Sequence, residues 1–188
     1  MNFRTLSALA AAACTLLFAP SAQAAVTVFG GGAAQYCFNA ADEGITSTDY
    51  LFFCNEALAG QLTDHDRAAT YINRGIIRLH TYQAVAATAD FNAGLAINPN
   101  IGEGYVDRGA ALVMRHEYAQ AIADINKGLE LGTREAYRAY YNRAMAAEGL
   151  GNLQGAYNDY RKALELEPGF TRAADELKRF KIVDQPNG

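Results

Sequence analysis

The chain contains few of the residues with which enzymes usually carry out chemistry. After residue 24 it has a single serine, Ser47, and no glycines of a nucleophile elbow surround it. His65, His80 and His116 are scattered without metal-ligand spacing, and no H-E-x-x-H sequence occurs. The glycines at 30–32 are not followed by the Gly-Lys-Ser/Thr of a phosphate loop. We therefore predict no enzymatic activity, no cofactor and no metal site.

Positive charge is also scarce. The 188 residues include 16 Lys and Arg against 20 Asp and Glu, which gives a net charge of −4, and residues 25–66 contain no Lys or Arg. Proteins that bind nucleic acid usually present a basic surface, so we predict no nucleic-acid partner. The length suits one domain with a sizeable core.

Residues 1–24 have the pattern of a secretory signal peptide. Arg4 provides an early positive charge, an apolar stretch covers 6–18, and the small residues Ala22 and Ala24 mark a cleavage site. The apolar stretch is shorter than the ~20 residues that cross a bilayer, so we predict no transmembrane segment. Cleavage after Ala24 would give a periplasmic or secreted protein, as expected of export from a Gram-negative bacterium.

A lipoprotein signal is the alternative for the same segment. In that case Cys14 would become a lipidated N-terminus and would anchor the protein to a membrane. Cys14 lies inside the apolar stretch instead of at its end, and Ala11 stands where a large apolar residue is usual. These two departures favour the cleaved signal peptide.

Two cysteines remain after that cleavage, Cys37 and Cys54, in a compartment that permits disulfides. We predict that they pair, which would stabilise the fold by roughly 3 kcal/mol. Two buried free thiols are the alternative. A redox function is not expected, because the C-x-x-C spacing is absent.

The most informative pattern in the chain is an internal repeat. The sequence Tyr-Ile-Asn-Arg-Gly at 71–75 recurs in related form at 105–109 and again at 140–144, so the copies are 34 and 35 residues apart. The second half of each copy repeats as well, at 87–91, 121–125 and 156–160. A period of this length indicates helix-turn-helix units that stack into a solenoid.

These residues resemble the tetratricopeptide repeat family. Its marks are an aromatic residue before a small one, then Ala-x-x-x-aromatic, then a proline that ends the second helix. The first copy matches through Tyr71, Gly75, Ala87, Phe91 and Pro99. The third copy matches through Tyr140, Ala144, Ala156, Tyr160 and Pro168.

The resemblance implies an all-α fold, an α-solenoid of about three repeats with a degenerate N-terminal helical hairpin and a C-terminal capping helix. The middle copy departs from the pattern, since it has Thr133 in place of proline and one extra residue. We divide the chain into a signal peptide (1–24), a flexible N-terminal arm (25–32), a hairpin cap (33–65), three repeats (66–101, 102–136 and 137–170), a capping helix (171–182) and a tail (183–188).

Sequence signals near both ends support this division. Thr63 with Asp66 three residues later resembles a capping box that opens the first repeat. Ala173, Leu177 and Phe180 fall on one stripe at helical spacing, which predicts the capping helix. At the other end, the disulfide would join the two helices of the hairpin cap.

One Arg and one Asp recur 16 residues apart in every copy. We predict structural ion pairs between them, because repeated interface contacts hold solenoids together. Arginines presented to a ligand are the alternative. The pairs are Arg74 and Asp90, Arg108 and Asp124, and Arg143 and Asp159.

In this family the first helices of the repeats form an inner, concave face that binds partners. The resemblance therefore predicts a protein or peptide partner on a largely apolar face with a polar fringe. In the alternative, these residues are covered by a neighbouring helix or by the N-terminal segment. The predicted face comprises Ile72, Asn73, Ile76, Val106, Asp107, Ala110, Arg138, Tyr141, Asn142 and Met145.

Some relatives hold a C-terminal carboxylate with lysines and asparagines on this face. Here Ile72 and Ile76 stand at the first of those positions, so that clamp is not expected. The sequence predicts an exported, non-catalytic scaffold that binds a protein or peptide. A self-associating protein of the periplasm or outer membrane is the alternative. Whether the arm from Val26 to Phe29 fills the groove stays open.

Overall fold

The structure is a computed structural model that describes residues 4–8 and 25–184. Within these residues, nine α-helices follow one another as consecutive hairpins, and a short 3₁₀ helix, Thr48–Tyr50, precedes the second of them. The α-helices are α1 Ala33–Asp42, α2 Leu51–Ala59, α3 Asp64–His80, α4 Ala84–Ile97, α5 Gly102–Met114, α6 Tyr118–Glu130, α7 Ala136–Gly149, α8 Leu153–Leu166 and α9 Thr171–Leu177. The predicted fold class is confirmed: α3 to α8 form three stacked hairpins between an N-terminal hairpin and a C-terminal helix.

Helix α3 begins at the capping residue that the sequence indicates. The Thr63 hydroxyl accepts a hydrogen bond from the Asp66 backbone amide at 3.1 Å. Asp66 lies in the first turn and Arg78 in the last turn, so both charges complement the helix dipole. The first helix of the first repeat is therefore well defined at both ends.

A left-handed residue ends the first helix of each repeat. It is Tyr82 in the first copy and His116 in the second, both with φ of 61°, and Gly151 in the third with φ of 76°. Beyond it, the next backbone amide donates to a carbonyl five residues earlier, as Gln83 does to Arg78 at 2.8 Å. This turn sends the chain back along the second helix.

Each hairpin is packed tightly because a small residue faces a large one. A Cβ atom at Gly75 would lie 2.6 Å from Phe91, and one at Gly109 would lie 2.5 Å from Ile125. These glycines let the two helix backbones approach closely. The two helices of a hairpin can thus pack directly against each other.

The junction between the second and third repeats replaces proline with a glycine turn. Gly132 adopts φ of 81°, and the Thr133 amide donates to the Gly128 carbonyl at 3.2 Å. A left-handed glycine after the helix end satisfies carbonyls that would otherwise lack partners. The extra residue of this copy is absorbed here before α7 begins.

The N-terminal hairpin is held by a disulfide between Cys37 of α1 and Cys54 of α2, as predicted. Both cysteines are fully buried. Cys37 Sγ also lies 3.9 Å from the Thr70 carbonyl of α3. The disulfide therefore lies where the hairpin packs against the first repeat.

The predicted C-terminal capping helix is present as α9, and it ends at Leu177, before residue 182. After α9 the Phe180 ring turns inward between Tyr157 and Tyr160 of α8, with ring centroids 5.8 and 6.0 Å apart. A short strand, β2 Phe180–Asp184, then pairs antiparallel with β1 Arg4–Ala8. The apolar stripe correctly indicated that Phe180 is buried, but Phe180 is buried from an extended segment and not from a helix.

Much of the predicted signal peptide lies outside the described residues. Residues 1–3 and 9–24 are not described, and they include Cys14 and the cleavage site at Ala24. The tail from residue 185 onward is not described either. Strand β1 falls within the segment that cleavage would remove. Among the described helices, none is both long and apolar enough to cross a membrane.

Candidate functional site

The apolar residues predicted for the concave face lie mostly in the core. Ile72 is fully buried between α4 and α5, where a Cβ atom at Gly104 would lie 2.7 Å from its Cδ1 atom. Ile76 and Ala110 are fully buried as well, and Val106 of α5 is buried in a cluster with residues of α6 and α7. The i, i+4 spacing therefore identified the face of the first helices that packs against neighbouring helices.

Tyr141 is also a core residue. Its ring packs 5.6 Å from Tyr160 and 5.2 Å from Phe170, and 1% of its surface is exposed. Burial, together with the nearby carboxylate of Glu176, raises the pKa of Tyr141 to about 12. Met145, one turn further on, keeps part of its surface exposed.

Three polar residues of the predicted face occupy equivalent positions in the first helices. Asn73, Asp107 and Asn142 are separated by the repeat period, and at most 1% of each is exposed. A buried amide or carboxylate needs hydrogen-bond partners to be tolerated. For Asn73 those partners come from the N-terminal arm.

The arm, residues 25–29, binds Asn73 through its backbone. The Val26 amide donates to Asn73 Oδ1 at 2.8 Å, and Asn73 Nδ2 donates to the Val26 carbonyl at 2.7 Å. The N–H and C=O of one residue point the same way only in an extended backbone, as in a pair of antiparallel strands. Asn73 therefore binds an extended chain independently of that chain's side chains.

The start of the arm reaches the loop before α7. Arg134 Nη2 donates to the Ala25 carbonyl at 2.8 Å, and Arg134 Nε donates to Glu103 Oε1 at 3.1 Å. Ala25 packs in the same core cluster as Ile72 and Ile76. The arm thus packs on the first repeat and contacts the loop between the second and third repeats.

The end of the arm binds the first turn of α3. The Phe29 amide donates to Asp66 Oδ1 at 2.8 Å, and the Phe29 ring lies 4.7 Å from the ring of His65. Burial opposes ionisation of Asp66, but the Phe29 amide, His65 and Thr63 stabilise the carboxylate more, so its pKa is lowered. This carboxylate accordingly accepts its hydrogen bonds in the ionised form at neutral pH.

The side chains of the arm are divided between the protein interior and solvent, and Val26 is half-buried. Ala25 and Val28 are buried, whereas Thr27 and Phe29 point to solvent. Val28 packs with Ala34, Ala57 and Ala69, in a pocket formed by α1, α2 and α3. Two buried apolar side chains and four hydrogen-bonded backbone groups therefore hold the arm.

The repeated arginines contact three groups each. In the second copy, Arg108 bonds Asp124 through Nε at 2.6 Å and through Nη2 at 2.8 Å, and its Nη1 donates to Asn92 of the preceding repeat at 2.8 Å. Its guanidinium also lies 5.3 Å from the centre of the Tyr105 ring. These contacts occupy the guanidinium within the solenoid.

The same arrangement recurs in the other two copies. The sequence analysis predicted the Asp partners of these arginines but not the Asn partners. The recurrence of an asparagine in the second helix of each hairpin could have indicated them. Arg74 bonds Asp90 and Asn55, and Arg143 bonds Asp159 and Asn126.

The histidines are placed apart from one another. His65 lies beside Phe29 and Asp66, while His116 Nδ1 lies 2.6 Å from the Tyr118 hydroxyl. His80 ends α3. Across residues 25–180, no group of three or more His, Cys, Asp and Glu is arranged to hold a metal ion.

Arg138 is the remaining predicted residue of the concave face. It pairs with Glu135 at 2.8 Å and lies 5.1 Å from the centre of the Tyr137 ring. Its side chain is 19% exposed, so it lies at the rim of the face in the third repeat. Arg138 and Met145 are thus the predicted residues that remain partly open to solvent.

Comparison with known proteins relates this arrangement to characterised repeats. Residues 137–170 match the family model of the tetratricopeptide repeat. No curated protein sequence matches the chain. Among solved structures, the TPR domain of Arabidopsis OM64 is 25% identical with a TM-score of 0.59, over 62% of this chain and 96% of that one.

Two similar structures contain bound peptides. The first TPR of Spaghetti (RPAP3) bound to the HSP90 peptide SRMEEVD is 27% identical, with a TM-score of 0.55 over 59% of this chain and 87% of that one. The second TPR domain of human RPAP3 in complex with the HSP70 peptide SGPTIEEVD is 25% identical, with a TM-score of 0.56 over 62% and 96%. The described chain is therefore an α-solenoid with the fold of tetratricopeptide repeat domains.

Proposed function

We propose that this chain is an exported, non-catalytic scaffold that binds an extended segment of a protein or peptide along the concave face of its repeats. The observation that carries the proposal is the pair of hydrogen bonds between Asn73 and the backbone of Val26. A side chain that binds both backbone groups of one residue suits an extended peptide of variable sequence.

Two further observations support a peptide as the partner. The related domains with bound HSP90 and HSP70 peptides have the same fold. In addition, Asp107 and Asn142 repeat the position of Asn73 along the solenoid, so an extended segment could be bound in successive repeats. An acidic C-terminus is not the expected ligand, because Ile72 and Ile76 are buried apolar residues.

Export is supported by the sequence pattern of residues 1–24 and by the disulfide, which suits an oxidising compartment. Cell fractionation with N-terminal sequencing tests it directly. A chain that begins at Ala25 in the periplasm or medium is the expected result. A chain that keeps Met1 in the cytoplasm would contradict export, and a lipid-modified Cys14 would establish the anchored alternative.

Capture from a periplasmic extract tests the binding function. The bait is the full chain, and the retained proteins are identified by mass spectrometry. Asn142→Ala should lose the partner that the unmodified chain retains, whereas Asn126→Ala should keep it, because Asn126 bonds Arg143 of the structural network. Equal retention by both variants, each shown to be folded by circular dichroism, would contradict the groove assignment.

Self-association is a second candidate function. Aromatic side chains are exposed on the N-terminal hairpin, where Tyr36 is 57% and Phe52 is 61% exposed. Neighbouring exposed apolar residues favour contact with another surface. Sedimentation velocity over a wide concentration range tests this, since a monomer at every concentration would exclude it.

A further inference from the structure

We infer that the N-terminal arm is a built-in ligand of the concave groove and that a partner segment binds by displacing it. The inference rests on the proposed function and adds which groups the partner must contact. The arm already uses the groups of the groove that suit an extended peptide. A partner would therefore be an extended segment with a small apolar residue at the Ala25 position and a valine-sized one at the Val28 position.

The contacts of the arm are those of a ligand rather than of a buried strand. Asn73, Arg134 and Asp66 bind the backbone of Val26, Ala25 and Phe29, with all donor to acceptor distances between 2.7 and 2.8 Å. The arm forms no helix or strand of its own. Any other segment with the same backbone path and small side chains could make these hydrogen bonds.

The attachment of the arm permits its exchange. Three glycines at 30–32 join it to α1; a Cβ atom at Gly31 would meet no atom within 4 Å, and Gly32 adopts φ of 71°. Glycines in open space can change backbone angles at low cost. The arm can therefore leave the groove while the disulfide-linked hairpin stays in place.

The same short tether makes the arm an effective competitor. A tethered ligand acts at an effective concentration on the order of millimolar, so a free peptide must bind better than the arm or be abundant. The unmodified chain should accordingly bind a copy of the arm weakly. Loosening the arm should increase that binding without any change to the groove itself.

The experiment uses the full chain and a fluorescent, acetylated peptide with the arm sequence Ala-Val-Thr-Val-Phe-Gly, with binding measured by anisotropy. Val28→Asp places a charge in the pocket of Ala34 and Ala57 and should release the arm. We expect this variant to bind the peptide at least about tenfold more tightly than the unmodified chain. Asn73→Ala in the same chain should remove the gain.

Matched controls distinguish binding in the groove from nonspecific binding of the peptide. A peptide with N-methyl valine in its second position has no N–H for Asn73 and should lose at least about tenfold in affinity. If Val28→Asp proves unfolded by circular dichroism, Val26→Pro releases the arm by removing the same N–H from the chain. Both released variants should show faster hydrogen exchange at the Phe29 amide.

The inference is overturned if released variants bind the arm peptide no better than the unmodified chain does. It is also overturned if binding survives both Asn73→Ala and the N-methyl peptide, since the groove would then not be the site. The capture experiment with Asn142→Ala measures retention of the partner and does not depend on the arm peptide. A failure of the arm experiment with successful capture would leave the proposed function intact.

Discussion

At the scale of single residues, the arginine of each repeat joins two neighbouring helical hairpins. Arg108 bonds Asp124 within its own repeat and Asn92 in the preceding one, and it lies over Tyr105. The hydrogen bond with Asp124 is the main reason that the pKa of Arg108 is raised. The guanidinium therefore stays charged even at strongly alkaline pH.

Arg108→Ala should destabilise the protein by about 2 kcal/mol, because Asp124 would lose its partner in a partly buried site. This is below the roughly 3–5 kcal/mol of fully buried pairs, since water still reaches the site. Urea unfolding measures the change. Lys127→Ala is the control: Lys127 pairs with Glu130 on the surface and should change stability by less than about 0.5 kcal/mol. Equal effects would contradict the structural role of the arginine.

Gly109→Ala should cost about 1–3 kcal/mol, because the new Cβ atom would lie 2.5 Å from Ile125 Cγ1 and force the two helices apart. Gly31→Ala is the matched control, since a Cβ atom there has open space. It should leave stability unchanged or slightly increased. Thermal unfolding compares the two variants, and a neutral Gly109→Ala would show that the hairpin can relax.

Asp66 should make docking of the arm dependent on pH. Its pKa is lowered in the folded protein, so its contribution is present above the ordinary pKa of aspartate and is lost as the pH falls through the lowered value. The amide chemical shift of Phe29, followed by NMR from about pH 6 to about pH 2, should report this loss. Asp66→Asn should abolish the acidic transition while circular dichroism stays unchanged.

At the scale of elements, the N-terminal hairpin depends on its disulfide. Helices α1 and α2 are short, and the hairpin lacks the arginine network of the repeats apart from Asn55, which bonds Arg74. Short helices need tertiary contacts or covalent links for stability. The hairpin is thus the element most sensitive to reduction.

Replacing Cys37 and Cys54 by serine should lower the free energy of unfolding by about 3 kcal/mol. Hydrogen exchange should increase mainly in α1 and α2, with smaller changes in α5 to α8. Reduction of the unmodified chain provides the control, because it should give the same pattern of exchange. Uniform exchange across all helices would show that the hairpin and repeats unfold together.

The sequence predicted the helical elements well because a period of 34 residues is a property of the chain itself. It could not separate the packing face from the open face of the first helices: Ile72 and Tyr141 have the spacing of a binding face but are buried by neighbouring helices. Nor could spacing place Phe180, since an extended segment buries it against Tyr157. The sequence left open whether the arm fills the groove, because the contacts of the arm join residues that are distant in the sequence.

At the scale of the whole molecule, most contacts join helices that follow one another in the chain, as in other solenoids. The stability of such an array is close to a sum of repeat and nearest-neighbour terms, so its ends can unfold separately. The arm is an exception to that rule. Its Ala25 carbonyl bonds Arg134, 109 residues away, while Val26 bonds Asn73 of the first repeat.

The arm bonds the first repeat through Asn73 and the loop before the third repeat through Arg134, so it links parts of the array that are not nearest neighbours. Unfolding of the first repeat or of the loop before α7 would break these hydrogen bonds, so the arm adds cooperativity that nearest-neighbour contacts alone do not supply. With the arm in place, the repeats should unfold in one sharp transition. Once a partner has displaced the arm, hydrogen bonds to that partner link the repeats. Cooperative unfolding then depends on the partner being bound.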